Sequence, residues 1–85
     1  MMNKVVSRLS DVEKGTQVRI SSFEGGFGYM AKLNRFGLYP GDLARVVRQG
    51  SFNGPVLLEV RGMEIALGRG IAERILVEEA ACDLP

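Results

Sequence analysis

The stretch that most constrains the fold is Leu33-Asn34-Arg35-Phe36-Gly37-Leu38-Tyr39-Pro40-Gly41-Asp42. An amphipathic run ends at Gly37, which takes the left-handed conformation that closes a helix, and Pro40 keeps the helix from resuming. Pro40-Gly41 then forms a tight turn, Pro fixing its own backbone angle and Gly accepting a positive one. The apolar strand residues of Ala44-Arg45-Val46-Val47 follow at once. The chain therefore holds a strand and a helix before this corner, and only β-structure after it.

The preceding helix is short. Apolar residues fall at Tyr29, Met30, Leu33 and Phe36, the spacing of a helix seated on a core, with Lys32, Asn34 and Arg35 on the other side. Two turns are not stable alone, so packing against strands must hold them. Upstream, Gln17 to Phe23 alternates polar and apolar residues as a half-buried strand with Val18, Ile20 and, by parity, Ser22 facing inward. Glu24 to Gly28 reads as a flexible turn. Leu9 to Gly15 reads as one helical turn, with Ser10 as N-cap, Glu13 completing a capping box, Gly15 as the stop, and Leu9 and Val12 on the core. Residues 1–8 are expected to be a flexible lead-in, 9–78 the domain and 79–85 a tail.

Downstream, Ala44 and Val46 point inward, Arg45 and Arg48 outward, and Val47 lies on the outer face. A loop over Gln49 to Gly54 leads into the clearest local pattern of the chain. With Arg61-Gly62 as a two-residue turn, Val60 pairs with Met63, Leu58 with Ile65 and Val56 with Leu67, so that six apolar residues share one face. Arg-Gly is a weaker turn dipeptide than Asn-Gly, and a loop looser by one residue also fits. Gly68 to Glu73 bends the chain into a last strand at Arg74 to Glu78. Strand, short helix and four closely spaced strands define a mainly β domain, a small partly open antiparallel β-barrel of about five strands with one or two short helices. The expected core is Leu33, Phe36, Leu38, Val56, Leu58, Val60, Ile65 and Leu67.

At 85 residues the chain is long enough for one small core and too short for two. A net charge of +1, with acids and bases interleaved, offers no field for nucleic acid or a membrane surface. With one cysteine, Cys82, and no histidine, the chain lacks disulfides, zinc-finger spacings and the Ser-His-Asp triad. A cytoplasmic location is expected, because no secretory leader is present and no run approaches the roughly 18 apolar residues of a membrane span. Gly26-Phe27-Gly28-Tyr29-Met30-Ala31 matches the dinucleotide fingerprint in letters, but it lacks the parallel βαβ setting that the fingerprint needs. There is no phosphate-binding loop of the G-x-x-x-x-G-K-S/T type. The carboxylates sit on turns and outer faces, where general acid–base work is not supported. No catalytic residue, cofactor site or metal site is expected, and Cys82 in an acidic tail makes a poor ligand or nucleophile. Arg45, Arg48, Arg61, Arg69 and Arg74 with Tyr29, Tyr39 and Phe52 compose a possible basic, aromatic nucleic-acid surface, which the balancing acids disfavour. Tyr39 at the corner and Phe52 at a loop tip are apolar residues left outside the core.

The ordered set Leu33-x-x-Phe36-Gly37-Leu38-x-Pro40-Gly41, a basic strand ending near Arg48, Gly54-Pro55-Val56, Val60-Arg61-Gly62, Ile65-Ala66-Leu67 and Ala72-Glu73-x-Ile75-x-Val77 resembles the FeoA family, from Leu9 to Val77. The resemblance implies a cytoplasmic SH3-like β-barrel that assists bacterial ferrous iron uptake by contacting FeoB, a membrane transporter with a cytosolic GTP-binding domain. Two stretches depart from the family pattern: Gly28 to Leu33, where the family often has an Arg- and Leu-rich helix, and the loop Gly50 to Gly54. The expected non-enzymatic adaptor uses Tyr39, Phe52, Arg45 and Arg48 as partner contacts, does not insert into the membrane, and can also pair with its own copy through an exposed barrel edge. Two alternatives remain: a stand-alone relative of the C-terminal domain of iron-dependent repressors with a metal-linked regulatory role, and a small RNA-binding barrel.

Overall fold

The structure is a computed structural model and describes residues 6–80. Its strands are β1 (Val6–Arg8), β2 (Gln17–Phe23), β3 (Leu43–Gln49), β4 (Val56–Val60), β5 (Met63–Leu67) and β6 (Ile75–Glu79). Helices α1 (Gly26–Arg35) and α2 (Arg69–Ala72) and a 3-10 turn over Leu9–Asp11 connect them. All pairings are antiparallel, in the order β1-β6-β2-β3-β4-β5. The sheet curls around one apolar core without joining its two edges, as a partly open barrel does.

The corner forms as the sequence requires. Gly37 has φ +91°, its N–H donates to Asn34 O and the Leu38 N–H donates to Leu33 O, both at 3.0 Å. These two bonds make a Schellman stop that satisfies carbonyls the helix would otherwise leave open. In the next turn Gly41 has φ +94° behind Pro40, and the Asp42 N–H closes onto Tyr39 O at 3.1 Å. That is a type II turn. Leu38, between the two devices, is fully buried.

The hairpin register is also as predicted, from Val60↔Met63 through Leu58↔Ile65 to Val56↔Leu67. Arg61 (φ +51°) and Gly62 (φ +80°) give the turn the two positive φ angles of type I′. Val56, Leu58, Val60 and Leu67 join Val18, Ile20, Leu33, Leu38, Val46, Ile75 and Val77 in the core, whereas Ile65 packs against it only partly.

Several expectations need correction. Val6–Arg8 is a strand on β6 and not a flexible lead-in. The Arg8 guanidinium anchors it, donating to Glu24 Oε1 at 2.9 Å and to the Glu73 carbonyl at 2.7 Å. The hydrogen bond to the Glu24 carboxylate, with its charge, raises the Arg8 pKa above its ordinary value. The barrel thus has six strands, and the last enters between the first two. Leu9 and Val12 are in the core, but the 3-10 turn is preceded by Arg8 with no side-chain cap, so Ser10 caps nothing. Helix α1 starts at Gly26, ahead of its apolar stripe, because Gly25 adopts φ +119° and turns the chain early. A β-bulge between Ile20 and Ser22 breaks parity, leaving Ser22 exposed and Phe23 against the core. Phe36 is 42% exposed as the C-cap of α1, past the last turn that meets the sheet, and Met63 is 51% exposed at the hairpin tip. Glu79 extends β6, and the Ala80 N–H reaches Gln17 O at 2.9 Å, so the start of the expected tail is paired; Cys82 lies outside the described residues.

Truncating Leu58 to Ala should cost about 2–5 kcal/mol, and the same change at Met63 under about 1 kcal/mol. Urea unfolding of both variants checks the contrast.

Candidate partner surface

The four predicted contact residues are distributed along β3 and the loops at its ends. Tyr39 lies at the corner, where β3 begins, and is 48% exposed. Arg45 is on the outer face, where Nη2 donates to Glu59 Oε1 at 2.7 Å directly across β4. Arg48 is exposed near the far end of the strand, and Phe52 stands at the tip of the loop beyond it. Seven strand residues separate Tyr39 from Phe52, roughly 20 Å at strand rise. Arg45 and Arg48 are three residues apart, a spacing that places side chains on opposite faces of a regular strand. A bulge between Val46 and Arg48 takes up the odd residue, Val47, and returns both arginines to the outer surface.

The corner end is held by a residue outside the predicted set. Arg61, at the β4–β5 tip, donates to Asp42 Oδ1 at 2.8 Å and to the Gly37 carbonyl at 2.6 Å, tying hairpin, turn and helix end together. Asp42 Oδ2 accepts from the Tyr39 N–H at 2.9 Å, and Arg19 donates to Gly41 O at 3.0 Å. A shallow groove of about 550 Å³ runs over this end, lined by Arg19, Leu43, Arg45, Glu59 and Arg61 among others. Phe36, Leu43 and Met63 join Tyr39 as exposed apolar side chains around the corner and hairpin tip.

The Phe52 end is built differently. Phe52 is fully exposed and has φ +52°, and Asn53 beside it has φ +66°. Left-handed backbone costs a non-glycine residue roughly 1–2 kcal/mol, and an aromatic ring in solvent returns none of it. The loop base closes tightly: the Gly50 N–H donates to Pro55 O and the Gly54 N–H to Ser51 O, both at 2.9 Å. A Cβ on Gly50 would lie 2.6 Å from Gly54 C and Pro55 O, so no side chain fits there. Arg69, on α2, fastens the base to the rest of the barrel. Its guanidinium donates to Gly50 O at 3.0 Å, Ser10 O at 3.1 Å and Gln49 Oε1 at 3.3 Å, while Gln49 Nε2 donates to the Leu9 and Val12 carbonyls. Sequence reading named Arg61 and Arg69 only in the disfavoured nucleic-acid set and missed these structural roles, because their partners are mainly backbone carbonyls distant in sequence, which leave no charge pattern.

Most arginines of the basic, aromatic set are engaged within the fold. Arg74 sits over the Tyr29 ring at 5.3 Å, Arg45 pairs with Glu59, Arg61 with Asp42, and Arg69 with carbonyls. Among the described residues Arg48 is the one arginine of this set with no such engagement. No group of three or more Cys, Asp or Glu placed to hold a metal occurs among the described residues.

The model of the FeoA domain matches residues 7–79 of this chain. The chain belongs to the FeoA family. A FeoA relative from Methanocaldococcus jannaschii, provisionally named Fe(2+) transport protein A, is 36% identical over 72 residues, 85% of each chain. A crystal structure of a FeoA described as an iron uptake regulatory protein superposes with a TM-score of 0.82 at 30% identity, covering 89% of this chain and 100% of that one. A manganese-dependent transcriptional repressor gives a TM-score of 0.82 at 15% identity over 93% of this chain and 44% of the repressor, a likeness of fold. The SH3-like architecture expected from the resemblance is thereby established for this FeoA-family chain.

Replacing Arg69 with Ala should cost about 2 kcal/mol, since charge-assisted bonds from a half-buried guanidinium are lost together. Arg61→Ala, at a more exposed site, should cost about 1 kcal/mol. Thermal unfolding of both variants checks the order.

Proposed function

We propose that this FeoA-family protein is a non-enzymatic accessory of ferrous iron uptake that works at the cytoplasmic face by contact with a FeoB-type transporter and its GTP-binding domain. The names of its relatives support the iron-transport role, and among the described residues no helix is long and apolar enough to cross a membrane. Phe52 is the observation that carries the contact reading. An aromatic side chain held fully outside, on a strained backbone, by a loop tied at its base has no use within the barrel. It is preorganised to enter an apolar pocket, because no rotamer-rich loop has to be ordered on binding. Arg48 supplies a charge at the rim that has no ion-pair partner among the described residues, and Tyr39 and Arg45 extend the same contact along β3.

Calorimetric titration against the isolated GTP-binding domain of the transporter from the same source, with and without nucleotide, tests this. Phe52→Ala should weaken binding by about 30-fold or more, the scale of an anchor residue. Phe52→Gly should abolish it while raising the unfolding free energy by about 1 kcal/mol through relief of the left-handed strain. Unchanged affinity in Phe52→Ala would reject this surface.

A further inference from the structure

Among the described residues, strand β5 is the long free edge of the sheet. The opposite edge, β1, has three residues, whereas β5 has five and pairs with β4 without a register shift. Natural sheets blunt such edges with Pro, Lys, a bulge or a covering element. Met63-Glu64-Ile65-Ala66-Leu67 contains neither Pro nor Lys, and Met63, Glu64 and Ala66 are exposed. In a two-residue hairpin the residues flanking the turn, here Val60 and Met63, exchange hydrogen bonds, and every second pair after them does the same. Glu64 and Ala66 fall between those pairs, so their N–H and C=O groups point away from β4. Neither residue has a further backbone partner among the described residues.

The charge on this edge is unbalanced. Glu64 stands directly opposite Glu59 in the ladder, an arrangement that is unfavourable by itself. Arg45 takes Glu59 at 2.7 Å, and Glu64 has no ion-pair partner among the described residues. A second copy of the chain fits this edge poorly. Twofold pairing about Ile65 would put two copies each of Glu59 and Glu64 on one face against two of Arg45.

We propose that the β5 edge receives an extended segment of a partner protein as a seventh strand, with Lys or Arg opposite Glu64 and apolar residues on either side of it. The backbone of the added strand bonds the free groups of Glu64 and Ala66, its cation relieves the Glu59/Glu64 pair, and its apolar neighbours cover Met63 and Ile65. This rests on the reading of the protein as one that acts by contact, but not on Phe52, which lies in another part of the fold.

The test is a titration of the isotope-labelled protein with the capped peptide Thr-Val-Lys-Val-Lys-Val-Thr, followed by amide NMR signals. The Glu64 and Ala66 amides should shift and their hydrogen exchange should slow, and a peptide with Glu for both Lys should bind at least about fivefold more weakly. Glu64→Lys should reverse that preference. Ala66→Pro removes an N–H that the β4 ladder does not use, so the fold should survive while strand addition is lost. Equal binding of the two peptides, or shifts centred away from β5, would overturn the proposal. Exchange protection of Glu64 and Ala66 that rises with concentration of the protein alone would overturn it in favour of a second copy. Failure here with Phe52-dependent binding of the transporter domain intact leaves the proposed function standing, and the converse result separates them equally well.

Discussion

The structure depends on a single corner, in which the helix stop at Gly37 and the turn at Pro40-Gly41 are set three residues apart. Leu33 is the main buried anchor of α1 and Leu38 follows its stop, and both lie in the core only if the chain turns between them. Ten residues of helix without a side-chain cap do not persist in water, so the helix exists because the corner holds it against the sheet. The corner in turn is tied to β2, with Gly41 N–H donating to Ile20 O at 2.7 Å and Ile20 N–H to Asp42 O at 2.8 Å. Arg61 closes the arrangement from the hairpin side. Strands β2, β3 and β4 thereby gain their relative placement from one short stretch of backbone.

What was legible in the sequence was what has a strict period or a special backbone requirement. The β4–β5 register follows from six alternating apolar residues, and the corner from Gly and Pro at positions where other residues would be strained or unable to continue. The features that did not show are those in which one residue breaks parity or partners come from afar. The bulges near Ser21 and Val47 have no fixed sequence signature; the first turns Ser22 out against the expected parity, and the second is what lets Arg45 and Arg48 both face out as expected. Strand β1 is too short to carry a period, and it is recognisable only once β6 is seen to lie between it and β2. Phe36 and Met63 have the right spacing for burial but sit at element ends, where the core has stopped. Of the candidate contacts, exposure was readable for Tyr39 and Phe52, as was their placement before and after β3.

The two ends of β3 divide stability from presentation. At the corner, exposed apolar groups surround a network of arginine bonds that the fold needs for itself. At the Phe52 loop the backbone is held in an unfavourable conformation by contacts at its base, and the exposed ring returns nothing to the barrel. In the proposed function that strain is retained for partner contact. In that function, a nearly neutral barrel without a long-range field would select its partner by such shape-specific contacts more than by steering.

The central claim, that the corner organises the domain, is tested most directly by native-state hydrogen exchange of the Leu38, Gly41 and Ile20 amides. All three protons should exchange only through global unfolding, with the same free energy as the most protected amides of β4. Exchange of Leu38 and Gly41 through a lower-energy local opening, while β2, β3 and β4 stay protected, would contradict the account by showing that the sheet stands without the corner.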